Sequence, residues 1–243
     1  KYIHYSKKIS MKIYSFTFAR AGSKGIKYKN LKKFRNKSLI FWAIQDCIKS
    51  KFISKSFVST DSKKIAKEAK KAGAIIPFLR PKKLSTDFSP EYLSWKHALN
   101  FLKKNNDLPD IFISVPCTSP LRTSKDLDRM ISIFIRKKPD LLVAVSESER
   151  NPYFNMFKMK KNNKIEIFSR PKKKIFRRQD CPKIYNLTTF AFISKPNYIL
   201  NSDNIYSNNV IGLKVDKKRS IDVDTVEDIK YAEFLGKIYG IKK

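Results

Sequence analysis

The chain has 243 residues, 42% of them apolar, enough to bury the core of one large or two small domains. Its 53 lysines and arginines against 21 acidic residues give a formal charge of +32, which raises nucleic-acid binding, yet lysine is spread over every segment and no recognition module stands out. The expectation is an electropositive site for small anions, with no nucleic acid as partner. No run approaches the roughly 18 apolar residues of a membrane span, and KYIHYSKKIS lacks the apolar middle of a secretory signal, so a cytoplasmic protein without a membrane partner is expected. The scattered Cys47, Cys117 and Cys181 fit neither a disulfide frame nor a zinc site. Residues 1–10 read as an upstream extension or cloning remnant, and 11–243 as one domain.

In chain order, KIYSFTF (12–18) is a strand-forming run ending in a glycine loop, and Leu39, Ile40, Ala43, Ile44, Cys47 and Ile48 then follow helical spacing. SFVSTD (56–61) reads as a short strand whose Thr60 or Asp61 would cap the helix SKKIAKEAKKAG, stopped at Gly73. AIIPF (74–78) repeats the strand pattern. A proline-rich connection leads to a helix with Tyr92, Trp95, Leu99 and Leu102 in register, and IFISV (111–115) has the continuous apolar character of a buried strand. Thr123 would cap a helix carrying Leu127, Met130, Ile131, Phe134 and Ile135, and LLVAV (141–145) is another strand. This alternation predicts an α/β fold of three layers, a mostly parallel sheet covered on both faces. It breaks after Val145. Residues 146–185, basic and punctuated by proline, read as a β-rich insertion before FAFIS, VIGLKV and a helix capped at Thr225 resume the pattern.

Three constellations could carry chemistry. FARAGSKGIKYKN (18–30) is neither a P-loop nor a dinucleotide fingerprint, but Gly22 and Gly25 would let the backbone turn tightly and present amides while Arg20, Lys24, Lys27 and Lys29 add charge. It fits a polyphosphate cradle, or an ordinary strand-to-helix turn with solvated lysines. In RSIDVDTVED an extended backbone puts Asp222 and Asp224 on one side and Ile221 and Val223 on the other. Two carboxylates sharing a face suit Mg²⁺ carried with a substrate's phosphates, or else Asp224 or Thr225 merely caps the last helix. Arg80, in IPFLRP, has prolines on both sides that would hold its guanidinium for an anion, the alternative being a surface arginine. His97 has no nucleophile motif near it and reads as structural. A phosphate cradle together with a carboxylate pair is the equipment of metal-assisted nucleotidyl transfer.

The segments ARAGSKGIKYKN, VSTDSKKIA, IPFLRPKKLSTD, TSPLRTSKDLD, RNPYFNM, RRQDCPKIY and SIDVDTVED stand in the order and spacing of the acylneuraminate cytidylyltransferases, the CMP-sialic acid synthetases. Over nearly all of residues 12–235 the chain resembles that family. The resemblance implies a Rossmann-related, GT-A-like nucleotidyltransferase fold whose small excursion serves homodimerisation. It also implies a reaction, with Mg²⁺, in which CTP and a nine-carbon 2-keto sugar acid give the CMP-sugar and pyrophosphate. Carried over position by position, Arg20, Ser23, Lys24, Lys29 and Asn30 look like the CTP-binding loop and Arg80 like a nucleotide-side arginine. Asp222 and Asp224 look like the metal-binding pair, and with Arg20 and Lys29 they form the implied catalytic set. Arg178 resembles an arginine that meets the sugar acid's carboxylate, from the same or the neighbouring subunit. Two departures fall on the acceptor side: Pro116 and Cys117 precede TSPLR where many members have Gln-Pro, and Leu187, Thr188 and Thr189 replace Asn-Gly-Ala. The acceptor is therefore left open among nonulosonic acids and octulosonate-like acids.

Overall fold

The computed structural model describes residues 11–22, 26–170, 174–206, 209–241 and 243. Strand β1 (Ile13–Phe18) leads through a loop to the two short strands β2 (Lys33–Phe34) and β3 (Lys37–Ser38), which pair antiparallel ahead of helix α1 (Leu39–Ile48). Ser38 caps α1 by accepting from the Phe41 N–H. Next come β4 (Lys55–Ser59) and α2 (Lys63–Lys71), after which Gly73, at φ +92°, reverses the chain in a conformation that side chains resist. Then follow α3 (Glu91–Lys104), β5 (Ile111–Ser114), α4 (Ser124–Lys137) and β6 (Leu141–Glu147). A separate hairpin of β7 (Phe157–Met159) and β8 (Ile165–Ile167) precedes β9 (Tyr185–Ser194), α5 (Pro196–Asn201), β10 (Val210–Lys214) and α6 (Val226–Ile238).

The main sheet has the order β10-β6-β9-β5-β1-β4. Only β9 runs against its neighbours, β5 and β6, so the other five strands all point the same way. Alternation along each strand sorts side chains to two faces. Tyr14, Phe16, Phe112 and Val143 pack under α3 and α5 with Trp95 and Leu99. On the opposite face Ile113, Leu142 and Ile193 meet Leu127, Ile131 and Phe134 of α4, while α1, α2 and α6 share a third cluster through Ile44, Ile65 and Ala232. Each such large apolar side chain taken fully out of water contributes roughly 1.5–3 kcal/mol. The result is the expected three-layer α/β architecture.

Two local expectations are corrected. Helix α2 is capped by Ser62, whose Oγ accepts from the Ile65 N–H, not by Thr60 or Asp61. Thr60 Oγ1 instead accepts from the Ser62 N–H, and Asp61 Oδ1 from the Ala21 N–H of the glycine loop at 2.9 Å. AIIPF does not form a strand: it meets β4 through the isolated bridge Phe57↔Ile75, with a second isolated bridge, Thr60↔Leu79, just beyond both segments, and Pro77 lacks the N–H a ladder needs.

Beneath the β5 end lies a buried ionic knot. Arg122 is 1% exposed, and its Nη1 donates to the carbonyls of Pro116 (3.0 Å) and Phe190 (2.7 Å). Its Nε lies 3.7 Å from Asp46, which also accepts from Lys243 Nζ at 2.7 Å. Burial raises the Asp46 pKa, and the two cations work against that rise. The knot therefore fixes the turn that carries Pro116, Cys117 and Thr118.

Candidate active site

Five strands pointing one way place their carboxyl ends along one edge, where open α/β sheets form their crevices. There the chain opens a cleft of about 790 Å³, within the usual range for small-molecule sites. One wall comes from the turn after β1. Arg20 leaves β1 directly, and the short 3₁₀ segment Lys29–Leu31 brings Lys29 and the buried Asn30 back beside it; Asn30 Nδ2 donates to the Arg20 carbonyl at 3.3 Å. Val223 and Ile221 anchor the opposite segment in the α1/α6 core, and the Val223 N–H donates to the Thr118 carbonyl at 2.9 Å. That anchoring turns Asp222 and Asp224 outward into the cleft, as the alternation predicts. The two motifs meet: Lys29 Nζ donates to Asp224 Oδ1 at 2.7 Å across 195 positions of sequence.

Further contacts hold this arrangement. Asp228 accepts from the Asp224 and Thr225 N–H groups at 2.9 and 2.7 Å, and Thr225 accepts from the Asp228 N–H, a reciprocal cap at the start of α6. Burial disfavours the Asp228 carboxylate, but those backbone donors and the Thr225 hydroxyl outweigh it and lower the pKa. Upstream, Arg219 grips both oxygens of Asp126 and donates to the Leu121 carbonyl, stapling the approach to Asp222 onto the start of α4.

The other end of the cleft is built differently. Arg80 is 6% exposed, not a surface arginine, and its Nε and Nη1 donate to the hydroxyls of Ser85 and Ser94. Burial lowers its pKa against the opposing pull of Asp61 and Glu91. Aromatic side chains Phe18, Tyr92 and Trp95 line the wall around it. Cys117 also lines the cleft, but burial pushes its thiol up to about 12, which removes it as a nucleophile.

Of the residues expected at a site, Arg20, Lys29, Asn30, Arg80, Asp222 and Asp224 line this one cleft. Ser23 and Lys24 lie outside the described residues. Arg178 is not part of the lining; it is exposed in the excursion, in the field of Glu147 and Glu149. Three carboxylates of the lining, Asp87, Glu91 and Asp203, escaped the sequence reading. Asp87, in the proline-rich connection, pairs with Arg20 at 2.7 Å, and Glu91 opens α3 against the cleft floor. An acid in the first turn of a helix reads from sequence as a response to the helix dipole, so Glu91 gave no separate signal.

Paired acids, fixed cations and a deep aromatic end fit a nucleotide with its phosphates at the Lys29–Asp224 end. The comparisons agree. A family model described as Cytidylyltransferase matches residues 17–235. The chain is 31% identical over 220 residues to the post-translational flagellin modification protein B of Campylobacter coli, covering 89% of this chain and 92% of that one. It is 29% identical to the pseudaminic acid cytidylyltransferase of Campylobacter jejuni (90% and 94% covered) and 30% identical to the CMP-N,N'-diacetyllegionaminic acid synthase of that species (89% and 92%). Among solved structures, a CMP:2-keto-3-deoxy-manno-octonic acid synthetase complexed with CTP superimposes with a TM-score of 0.70 over 94% of this chain and 99% of that one, a likeness of fold at 13% identity. With 219 consecutive positions under the family model, the chain belongs to the cytidylyltransferases, CTP-dependent nucleotidyltransferases.

Proposed function

We propose that the chain transfers the cytidylyl group of CTP to the anomeric hydroxyl of a nonulosonic, sialic-type 2-keto sugar acid and releases pyrophosphate. The observation that carries this reading is the Lys29–Asp224 contact at 2.7 Å, which joins the glycine-loop motif and the paired-acid motif inside one cleft. The names of the Campylobacter relatives, a pseudaminic acid cytidylyltransferase and a legionaminic acid synthase, support the acceptor class.

In the reaction the anomeric oxygen bonds to the α-phosphorus, the bond from that phosphorus to the bridging oxygen breaks, and the hydroxyl's proton is lost as pyrophosphate departs. Such a step asks the protein mainly for positioning and neutralisation of charge. Arg20 and Lys29 would hold the triphosphate, with Asn30 toward the base and ribose; Ser23 and Lys24, outside the described residues, are assigned to CTP on the resemblance alone. Mg²⁺ fits the residues present: the described residues offer no cluster of three or more metal-ligating side chains, only the outward pair Asp222 and Asp224. One or two carboxylates plus substrate phosphates are the usual holders of this ion. When bound it would neutralise phosphate charge next to Lys29.

The acceptor side is assigned to Thr118, Thr189 and Arg178. Thr189 is oriented by a 2.9 Å hydrogen bond with Ser119. Arg178 would reach the sugar acid's carboxylate from a second subunit, because the excursion that bears it exposes Phe157, Met159, Ile165, Phe168 and Phe176, an apolar surface suited to a homodimer contact. Among the described residues no helix is long and apolar enough to cross a membrane, and we place the enzyme in the cytoplasm, where CTP is available.

The test is pyrophosphate release from CTP, ATP, GTP and UTP with Mg²⁺ and a panel of 2-keto sugar acids. Turnover of CTP with a nine-carbon acid is expected. Turnover with an octulosonate alone would replace the acceptor. Oligonucleotide binding with a steep salt dependence, and indifference to CTP, would remove the enzymatic reading altogether.

A further inference from the structure

Glu91 is a carboxylate in the cleft that phosphate chemistry does not use. It stands at the first position of α3, and its Oε1 accepts from Trp95 Nε1 at 3.0 Å and from Ser114 Oγ at 3.4 Å. Those two bonds fix the carboxyl at the floor of the cleft, beside the end of β5. Among the described residues Oε2 accepts no hydrogen bond, so an acceptor is left for a ligand. Arg80 stands on the same wall. Its Nε and Nη1 are engaged by Ser85 and Ser94, which set the plane of the guanidinium, and its charge and that of Glu91 lie in each other's field. Phe18, Tyr92 and Trp95 flank the pair with flat apolar surface.

A fixed acceptor close to a fixed donor, between aromatic walls, suits a planar heterocycle that carries an amino group next to ring acceptors. The structure assigns the nucleotide's base to this end. We propose that Glu91 is the specificity-determining residue for the base: its carboxylate accepts from the exocyclic amino group of cytosine while Arg80 donates to the adjoining ring acceptors. Uracil presents a carbonyl oxygen where cytosine presents the amino group. Burial raises the Glu91 pKa, and the Trp95 donor, the Arg80 charge and the Ser114 donor work against that rise; in the ionised group the uracil oxygen meets lone pairs only, which makes UTP the informative competitor. The inference rests on the reading of this cleft as the CTP site.

The experiment compares kcat/KM for CTP and for UTP, with one sugar acid, in the wild type and in Glu91→Gln, and measures direct binding of both nucleotides by calorimetry. Glutamine keeps the shape and adds a donor that a uracil carbonyl can use. The CTP-to-UTP ratio is expected to fall about tenfold to a hundredfold, the worth of one hydrogen bond to a charged group, with the KM for the sugar acid unchanged. Glu91→Asp, which keeps the charge but shortens the reach, is the second variant, and in it CTP use should fall without any gain of UTP. An unchanged ratio in Glu91→Gln together with a raised KM for the sugar acid would overturn the assignment and move Glu91 to the acceptor side. Wild-type CTP use in Glu91→Asp would overturn it as well. If the wild type itself uses no CTP, the cytidylyltransferase reading fails first and takes this inference with it; a CTP-active wild type beside an unaltered Glu91→Gln sinks the inference alone.

Discussion

In the cleft Lys29 is engaged by a carboxylate: its Nζ sits 2.7 Å from Asp224 Oδ1, the two side chains being 16% and 71% exposed. A triphosphate reaches Lys29 only in competition with that carboxylate. Asp224→Asn removes the competing charge and keeps the shape. Two unit charges about 4 Å apart in an effective dielectric of about 20 interact by about 4 kcal/mol, but Asp224 is more than two-thirds exposed, and pairs of that kind are worth about 0.2–1 kcal/mol. Without metal the variant should therefore bind CTP about 1.5- to 5-fold more tightly. With Mg²⁺ the sign should reverse, because in the proposed site Asp224 would be an anionic ligand whose loss weakens the hold on the ion that offsets phosphate charge, and turnover should collapse. Calorimetric titration of CTP with EDTA and with Mg²⁺, at matched ionic strength, reads the first effect, and pyrophosphate release reads the second. Weaker metal-free binding by the variant would mean that Asp224 holds the nucleotide directly, and the competition inferred from the Lys29 contact would be wrong.

The remaining expectations concern the supports of the site. Asp222→Asn should nearly abolish pyrophosphate release with an unchanged melting temperature; normal turnover would remove Asp222 from the metal pair. Arg122→Met strips Asp46 of one cation and leaves the Pro116 and Phe190 carbonyls without their donor, so urea unfolding should show a loss of about 3–5 kcal/mol. A loss under about 1 kcal/mol would show that the knot is not needed. Asp228→Ala removes the reciprocal cap of α6 and should cost about 1 kcal/mol at neutral pH. Because the folded pKa of Asp228 is lowered, its stabilisation is fully present above the unfolded carboxylate range near about pH 4 and is lost as pH falls through the lower folded value. The variant and the wild type should accordingly converge in strong acid, and a difference that persists at about pH 2 would contradict the ionised cap. Arg178→Ala should raise the KM for the sugar acid and spare CTP affinity; equal loss on both sides would show that the donor and acceptor ends have been sorted wrongly.

What the sequence made legible follows from the range of the physics involved. Strand and helix positions come from local periodicity, and β1, β5, β6, α1 and α4 were all readable in that way. The direction of β9 was not, since an apolar run buried on both faces looks alike whichever way it runs. The cap of α2 was misread because Asp61 serves a partner forty positions away, the Ala21 N–H. At the site, the glycine loop and the paired acids were visible as motifs. Arg122 lay in plain view within TSPLR, but only the tertiary structure shows it buried and holding two carbonyls. Asp87 closes the matched segment IPFLRPKKLSTD, but nothing local gave it a role: its meaning is the guanidinium of Arg20.

The charge of the molecule and the charge of its cleft have opposite signs. The whole chain is +32, yet the described lining of the cleft holds three cations, Arg20, Lys29 and Arg80, against five acids, Asp87, Glu91, Asp203, Asp222 and Asp224. A basic nucleic-acid binder would put its cations where the phosphates go. Here the scattered lysines can raise the encounter rate with an anion from a distance, but close in, the cations at the phosphate end are matched by the carboxylates of Asp87 and Asp224. A bare triphosphate gains little in such a place. On the proposed reading, one that arrives with a divalent cation would bring the charge that Asp222 and Asp224 lack and would free Lys29 and Arg20 to turn toward phosphate. The acids of the cleft would thus act as a requirement for the proposed metal, so the strongest dependence of CTP binding is expected on Mg²⁺ and only a weaker one on the lysines outside the cleft.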